Sequence, residues 1–394
     1  LARHIFITVG ETSGDHHAAK LVRALRQLDP TIIIEGFGGP AMAHAGAEIL
    51  YETTARAAMT FHALRRVFEF KRLLKQAKEI YRDPARKPDL QICVDSSGVN
   101  LYFARAAKEA GIPVLYYVAP QLWASRPGRI KQVRRYIDRL ACIFPFEAAW
   151  YQSRGANASF VGHPLFDDLP KIRQVRSDGG QRPTVGIVPG SRRSEVKTNL
   201  PHLIEVMQRI QDRFPDAQFL VPTTLSTHEM VVTSLSGKTV PGVREQLEQQ
   251  SHARDGRATV KQNAFDEFIP QCDLVITKSG TSTVHVAAYA VPMIVVYRGS
   301  IILWHLIARW LLKTKKVAMV NILAGETDLV PEFIPWHGSN KPVADLAIQM
   351  LEHPQMLEDQ RVKLRELIKP IEAPGASLNV AKIAMEMIAA DARR

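Results

Sequence analysis

The chain is 394 residues long, too long for one typical domain and comfortable for two. Its 46% hydrophobic and 23% charged residues fit a globular protein with a sizeable core. The net charge of +12 calls for an acidic partner, and no helix-turn-helix, zinc-finger or RNA-binding signature accompanies it. A phosphorylated substrate or anionic lipid therefore ranks ahead of nucleic acid.

Cys93, Cys142 and Cys272 are far apart, odd in number, and each in or beside an apolar run. They are expected as buried thiols of a reducing compartment, in neither a disulfide nor a metal site. The sequence enters a strand pattern almost at once, with no signal-peptide pattern ahead of it. No run is long and apolar enough to span a bilayer. The nearest, residues 301–312, is interrupted by His305 and Arg309.

In chain order, His4 to Val9 is a short apolar strand, and Gly10-Glu-Thr-Ser-Gly-Asp15 is the loop after it. Ala18, Leu21, Val22 and Leu25 then recur at helical spacing. Glycine-bearing crests of this kind line ligand crevices at the C-terminal ends of strands. The G-x-G-x-x-G spacing is missing, so no dinucleotide is inferred. Residues 32–37 form a second strand ending at Gly38-Gly39-Pro40, followed by a helix with small residues. Residues 57–78 interleave Met59, Phe61, Leu64, Val67, Phe68, Leu73 and Leu74 with Arg65, Arg66, Lys71, Arg72, Lys75 and Lys78. That segment reads as a helix packed on the sheet with a solvated basic face, or as one lying on an anionic membrane surface. Leu90 to Val94 is a third strand, capped by Asp95-Ser-Ser-Gly-Val-Asn100. A carboxylate there suits a general base acting on a substrate hydroxyl. It also suits an N-cap for the helix at 101–110, and the two roles are compatible. Further strands are expected at 114–118, 140–144 and 159–161. A basic stretch with Lys131, Arg134 and Arg135 follows the first of these.

Residues 165–182, with Asp167, Asp168, Pro170 and Gly179-Gly180, read as an interdomain linker. The second half repeats the pattern. Thr184 to Val188 is a strand, Pro189-Gly-Ser-Arg-Arg-Ser-Glu195 its loop, and Leu203, Met207, Ile210 and Phe214 mark the next helix. Such a loop turns backbone N–H groups and a helix N-terminus toward whatever sits above the sheet edge. Arg192 and Arg193 add charge suited to phosphate oxygens. With no Gly-Lys-Ser/Thr it is not a Walker A loop. It reads as the diphosphate clamp of a sugar nucleotide, against the alternative of a surface turn with two solvated arginines. Residues 218–221 form a strand and 226–255 a polar stretch of helix and loops. Residues 273–277 are a buried strand, and Lys278-Ser-Gly-Thr-Ser-Thr283 is a second anion-cradling loop. A helix at 284–289, a strand at 293–297 and helices over 343–389 complete the chain.

Eight motifs follow one another in order. They are GETSGD at 10–15, GFGGPAM at 36–42, YYVAPQLWASRPGRIK at 116–131, FPFE at 144–147, FVGHP at 160–164, PGSRRSE at 189–195, SGTSTVH at 279–285 and NILAGE at 321–326. Together they resemble the lipid-A-disaccharide synthase family from residue 4 to about residue 335. The expected fold class is α/β with the GT-B architecture, two Rossmann-like domains facing across a cleft. The boundaries are placed at 1–175 for the acceptor side and 176–345 for the sugar-nucleotide side. Helices at 346–394 would cross back or be exchanged in a dimer.

The resemblance implies an inverting glycosyltransferase without cofactor or metal. It would join UDP-2,3-diacylglucosamine to 2,3-diacylglucosamine 1-phosphate, forming a β-1,6-linked disaccharide and UDP at the inner face of the inner membrane. Its partners would be those two substrates, an anionic membrane surface and a second copy of the chain, with no nucleic acid. Asp95 aligns with the family's essential aspartate and would be the base. Arg192, with amides around Gly190, Ser191, Ser279, Gly280, Thr281 and Ser282, would hold the diphosphate. Glu11, Ser13, Gly14 and Asp15 would line the N-terminal side. Asn321 and Glu332 would serve the nucleotide or domain closure, with a loop cap as the alternative for Asn321. The acyl chains would meet the apolar and basic residues of 57–78 and of 301–316, including Trp304, Trp310, Lys313, Lys315 and Lys316. Two places depart from the family pattern: Ser96-Ser97-Gly98 after Asp95, and His285 where a glutamate normally grips the ribose hydroxyls. Two alternatives stay open: another GT-B sugar-nucleotide enzyme, whether epimerase or transferase, and a non-catalytic relative that binds lipid or nucleotide.

Overall fold

Strands that are apolar from end to end need cover on both faces, which favours parallel sheets with helices above and below. Leu90–Val94, Thr184–Val188 and Met293–Val296 are buried along their whole length. A computed structural model describes residues 3–54, 63–169, 182–236, 243–245, 258–298 and 316–391. It divides into two compact units, Leu1–Asp168 with Ile371–Arg394, and Leu169–Pro370.

In the first unit the strands are β1 (His4–Val9), β2 (Ile33–Gly38), β3 (Glu48–Glu52), β4 (Leu90–Val94), β5 (Val114–Tyr117), β6 (Arg139–Cys142) and β7 (Ala158–Phe160). They form one parallel sheet in the order β3-β2-β1-β4-β5-β6-β7. Its helices are α1 (Thr12–Leu28), α2 (Pro40–His44), α3 (Ala63–Arg82), α4 (Ser97–Glu109), α5 (Ile130–Tyr136) and α6 (Pro145–Gln152). Phe6 packs edge-on against Phe37 and Tyr81 in the core beneath α3 and α4.

In the second unit β8 (Thr184–Val188), β9 (Gln218–Thr223), β10 (Val243–Glu245), β11 (Ala258–Gln262), β12 (Leu274–Lys278), β13 (Met293–Val296) and β14 (Glu332–Phe333) form a second parallel sheet. Its order is β10-β11-β9-β8-β12-β13-β14. The helices are α7 (Arg193–Arg213), α8 (His228–Ser236), α9 (Phe265–Phe268), α10 (Ser282–Ala288), α11 (Met319–Leu323), α12 (Lys341–Glu352) and α13 (Pro354–Ile368).

The last helix, α14 (Ala376–Asp391), belongs to the first unit and packs along α1. Its start is fixed by a carboxylate more than 200 residues away. Asp167 accepts the N–H groups of Gly375, Ala376 and Ser377 at 2.8, 2.9 and 3.0 Å, satisfying donors that a helix start leaves unpaired. The C-terminal helices expected as one segment at 346–394 are thus divided: α12 and α13 stay with the second sheet and α14 joins the first.

Helix α3 settles part of the question posed by the basic segment. Leu73, Ala77, Ile80 and Tyr81 are buried against the sheet, while Val67 and Phe68 are 50% and 69% exposed beside exposed Lys71, Arg72 and Lys75. Met59, Phe61 and the side chains of Leu64, Arg65 and Arg66 lie outside the described residues. So do most of the expected linker and the stretch with Trp304, Trp310, Lys313 and Lys315. The three cysteines are buried.

Candidate active site

In each sheet the strand order reverses beside a central pair, β1 next to β4 and β8 next to β12. Loops that leave such a pair in opposite directions open a crevice at the C-terminal edge, where open α/β sheets bind ligands. The loops singled out in the sequence sit there: residues 10–15 after β1, 95–100 after β4, 189–195 after β8 and 278–282 after β12.

After β4 the backbone turns sharply. Asp95 and Ser96 have φ of 53° and 48°, two consecutive left-handed residues with no glycine between them. The left-handed conformation costs roughly 1–2 kcal/mol per L-residue, so it persists only where the surroundings over-determine it. The turn lifts Asp95 off the strand and puts the N-cap of α4 on Ser96. Ser13 Oγ donates to Asp95 Oδ2 at 3.3 Å, bringing the first loop to the same carboxylate. Gly14 has no room for a side chain, since a Cβ would lie 2.9 Å from Val9 Cγ1 and 3.5 Å from Asp95 Cβ. Glu11 is the exposed N-cap residue of α1.

Asp15 corrects an expectation. It is 2% exposed, and its oxygens accept the N–H groups of Gly39, Ala41 and Met42 at 2.9, 3.0 and 3.2 Å. It caps α2 and ties α1 to the Gly-Gly-Pro turn, so it has no carboxylate to offer a ligand.

The segment leaving β5 is held from below by α6. Trp123 Nε1 donates to Glu147 Oε1 at 3.0 Å, and the Tyr151 hydroxyl donates to the Pro120 carbonyl. Burial pushes the Glu147 carboxyl up from its ordinary 4.5 to about 7, the Trp123 bond pulling the other way. The folded protein therefore keeps a proton that the unfolded chain releases as pH rises from about 4.5 to about 7, and stability falls across that window by roughly 3 kcal/mol. Glu147→Gln should remove this slope. Its melting temperature should gain on the wild type between about pH 5 and pH 8, and parallel melting curves would show that Glu147 titrates normally.

In the second unit both glycine loops converge on one ion pair that the sequence reading did not single out. Lys278 Nζ lies 3.0 Å from Glu195 Oε1, with both side chains mostly buried. Glu195 Oε2 accepts the N–H groups of Ser191 and Arg192 at 3.2 and 3.4 Å, and Arg192 Nη1 lies 3.5 Å from Oε1. Gly190, at φ 134°, is required here, because a Cβ would stand 2.6 Å from Glu195 Cβ. The Ser191 amide, expected on a diphosphate, is thus taken by Glu195. In the other loop, the Ser279 N–H bonds Val296 and its hydroxyl bonds Val317. The N–H groups of Gly280, Thr281 and Ser282 find no acceptor among the described residues. Those three amides and Arg192 are what this sheet edge presents to an anion.

Asn321 makes the contacts of its alternative, the loop cap, and Glu332 is bound up in the same cluster. Asn321 is 1% exposed; it accepts from the Leu329 and Val330 amides and donates to the Val330 carbonyl and to Glu332 Oε1. Glu332 accepts the Val317 and Ala318 amides, both at 3.1 Å. Together they fasten α11 to β14. His285 lies 2.6 Å from Asp266 Oδ1 through Nε2, somewhat off a hydrogen-bond line, and is stacked on Phe265 at 4.4 Å. The Tyr289 hydroxyl donates to the same Asp266 oxygen at 2.9 Å. A carboxylate therefore stands beside the position where histidine replaces glutamate. Asp266 comes from α9, and no sequence spacing marked it.

The profile of the lipid-A-disaccharide synthetase family matches residues 5–384. The lipid-A-disaccharide synthase of Geobacter sulfurreducens is 33% identical over 395 residues, covering 98% of each chain. The chain belongs to the lipid-A-disaccharide synthetase family. Membership makes it a glycosyltransferase whose role is assembly of the lipid A disaccharide, and it does not favour the epimerase or non-catalytic alternatives. Solved structures show the fold at low identity. The S. aureus MnaA–UDP co-structure has a TM-score of 0.60 at 13% identity, covering 96% of this chain and 94% of that one. The glycotransferase of kitacinnamycin has a TM-score of 0.61 at 13% identity, covering 98% and 100%. With two parallel α/β sheets, this member of the synthetase family has the GT-B fold. Among its described residues no helix is long and apolar enough to cross a membrane.

Proposed function

We propose that the chain transfers the diacylglucosaminyl group of UDP-2,3-diacylglucosamine to the 6-hydroxyl of 2,3-diacylglucosamine 1-phosphate, with inversion, and releases UDP. The observation that carries this reading is the turn at Asp95: a strained backbone holds a carboxylate out at the switch point of a sheet, in a chain that belongs to this family. Inversion needs one base to take the acceptor proton as the hydroxyl attacks, and Asp95 serves that role. Departure of UDP leaves growing charge on the diphosphate. The amides of Gly280, Thr281 and Ser282 with the Arg192 guanidinium meet that charge from fixed positions, which is usually the largest catalytic term. Asp266, set against His285, is the acceptor available to the ribose hydroxyls.

The acyl chains of both substrates suit the exposed Val67 and Phe68 on α3, whose flanking Lys71, Arg72 and Lys75 favour an anionic bilayer surface. The Asp167 cap, made to a helix distant in sequence, is a contact that the α14 of a second copy could supply, which fits a homodimer with exchanged C-terminal helices.

The test is release of UDP and formation of a disaccharide by purified protein in mild detergent with the two lipid substrates. No product with both substrates present would sink the reading. Arg192→Ala should weaken UDP binding by about 10- to 100-fold, the range for losing a hydrogen bond to a charged group. Titration of UDP by calorimetry measures it, and an unchanged affinity would remove Arg192 from the diphosphate site.

A further inference from the structure

A continuous chain of buried hydrogen bonds runs through the core of the first unit and ends at the Asp95 turn. The Tyr81 hydroxyl of α3 donates to Gln91 Oε1 at 2.6 Å, and Gln91 Nε2 donates to Thr8 Oγ1 at 3.0 Å. The Thr8 hydroxyl donates to Asn100 Oδ1 at 2.8 Å. Asn100 Nδ2 then donates to the carbonyls of Asp95 and Val94, both at 2.9 Å, and to that of Thr8 at 3.2 Å. From the other side the Tyr116 hydroxyl donates to the same Asp95 carbonyl at 2.6 Å. Tyr81, Gln91, Thr8, Asn100 and Tyr116 are each no more than 1% exposed.

From Tyr81 through Gln91 and Thr8 to Asn100 the linking donors all point toward Asp95. Reversing one member would strand a buried donor or acceptor, so the direction is fixed by the whole set. The Thr8 hydroxyl is the key link. By occupying Asn100 Oδ1 it decides which end of the amide faces the turn, and only the NH2 end, with two N–H groups shared among the three carbonyls, can donate there. Burial raises the neighbouring Cys93 thiol to about 12, so it stays neutral beside the series.

We infer that Asn100, oriented by Thr8 and Gln91 and joined by Tyr116, is the positioning device for the catalytic carboxylate. Two left-handed residues in succession relax unless their carbonyls are held. A relaxed turn lays Asp95 back along the strand, away from the acceptor hydroxyl. The inference rests on the assignment of Asp95 as the base under the proposed function. None of these five side chains touches substrate: they act on the rate through the Asp95 backbone.

Thr8→Val keeps the shape and removes the hydroxyl, Tyr116→Phe removes only its donor, and Thr8→Ser restores a hydroxyl at position 8. In the full-length protein with both lipid substrates, Thr8→Val and Tyr116→Phe should each lower kcat by about 10- to 100-fold with KM unchanged, the cost of a misplacement near 1 Å. Thr8→Ser should recover most of the rate. In an Asp95→Asn background neither change should cost anything further, because residues acting as one unit are not additive. Equal losses in both backgrounds would mean plain damage to the fold and would overturn the inference, as would full kcat in both single variants. Hydrogen exchange gives a readout independent of turnover: the amides of Asp95, Val99 and Asn100, which bond the Tyr117 and Ser96 carbonyls across the turn, should exchange faster in both variants while those of β1 and β4 keep their protection. If the wild type makes no disaccharide, the proposed function fails on its own, and unchanged exchange at the turn would still reject the relay.

Discussion

Replacing Asp95 by alanine should lower disaccharide formation by about 10² or more, the usual range for losing a positioned general base. UDP affinity should remain, because the loops proposed for the diphosphate belong to the other unit. Asp95→Asn should be nearly as slow, since it keeps the shape and loses the basic oxygen. Steady-state rates beside a UDP binding isotherm separate the outcomes. Disaccharide formation at wild-type rate in the alanine variant would leave the family activity standing and remove Asp95 as the base. Loss of UDP binding would instead show that the substitution disturbs more than the acceptor side.

The second large effect concerns the far end of the chain. Ending the protein at Pro370 removes α14, in which Ala376, Val380, Ala381, Ala384 and Ile388 are buried. Burial of those groups stabilises on the order of 5 kcal/mol at about 0.8 kcal/mol per methylene. That is comparable with the whole stability of a typical domain, about 5–15 kcal/mol. The shortened chain should fail to fold its first unit, seen as loss of its melting transition and of soluble yield. Asp167→Ala is the graded version: it removes a cap worth about 0.5–2 kcal/mol and should lower the melting temperature by a few degrees. Wild-type melting in the shortened chain would show that α14 is dispensable.

Much of this was legible in the residues. Central strands such as Leu90–Val94 and Thr184–Val188 read as unbroken apolar runs because both faces are covered, and the glycine loops after them stood out by composition. β3, β11 and β14 did not. Glu48–Glu52, Ala258–Gln262 and Glu332–Phe333 carry polar residues at or near a sheet edge, where one side of the strand meets less of the core. The site divided along a similar line. Asp95 and Arg192 could be picked out because their loops follow strands, and Ser13 from the resemblance alone; the bond from Ser13 to Asp95 appears only in the fold. What Asp15 does could not be read, because a carboxylate facing a ligand and one capping a buried turn look alike in sequence; for Asn321 the loop cap stood only as the alternative. Lys278 and Glu195 were quoted within motifs, yet their pairing joins residues 83 positions apart and appears only when β8 and β12 lie side by side.

The first unit is discontinuous in the chain, opening at the N-terminus and closing with α14. A ribosome delivers it in the wrong order for simple domain-by-domain folding, in which the N-terminal part finishes first. Residues 3–168 must wait, with the face of α1 that receives α14 uncovered, while some two hundred further residues are translated. The second unit emerges whole in that interval and can fold first. During that wait the nascent chain displays an apolar groove that holdase chaperones, or the finished tail of a neighbouring copy on the same polysome, could fill.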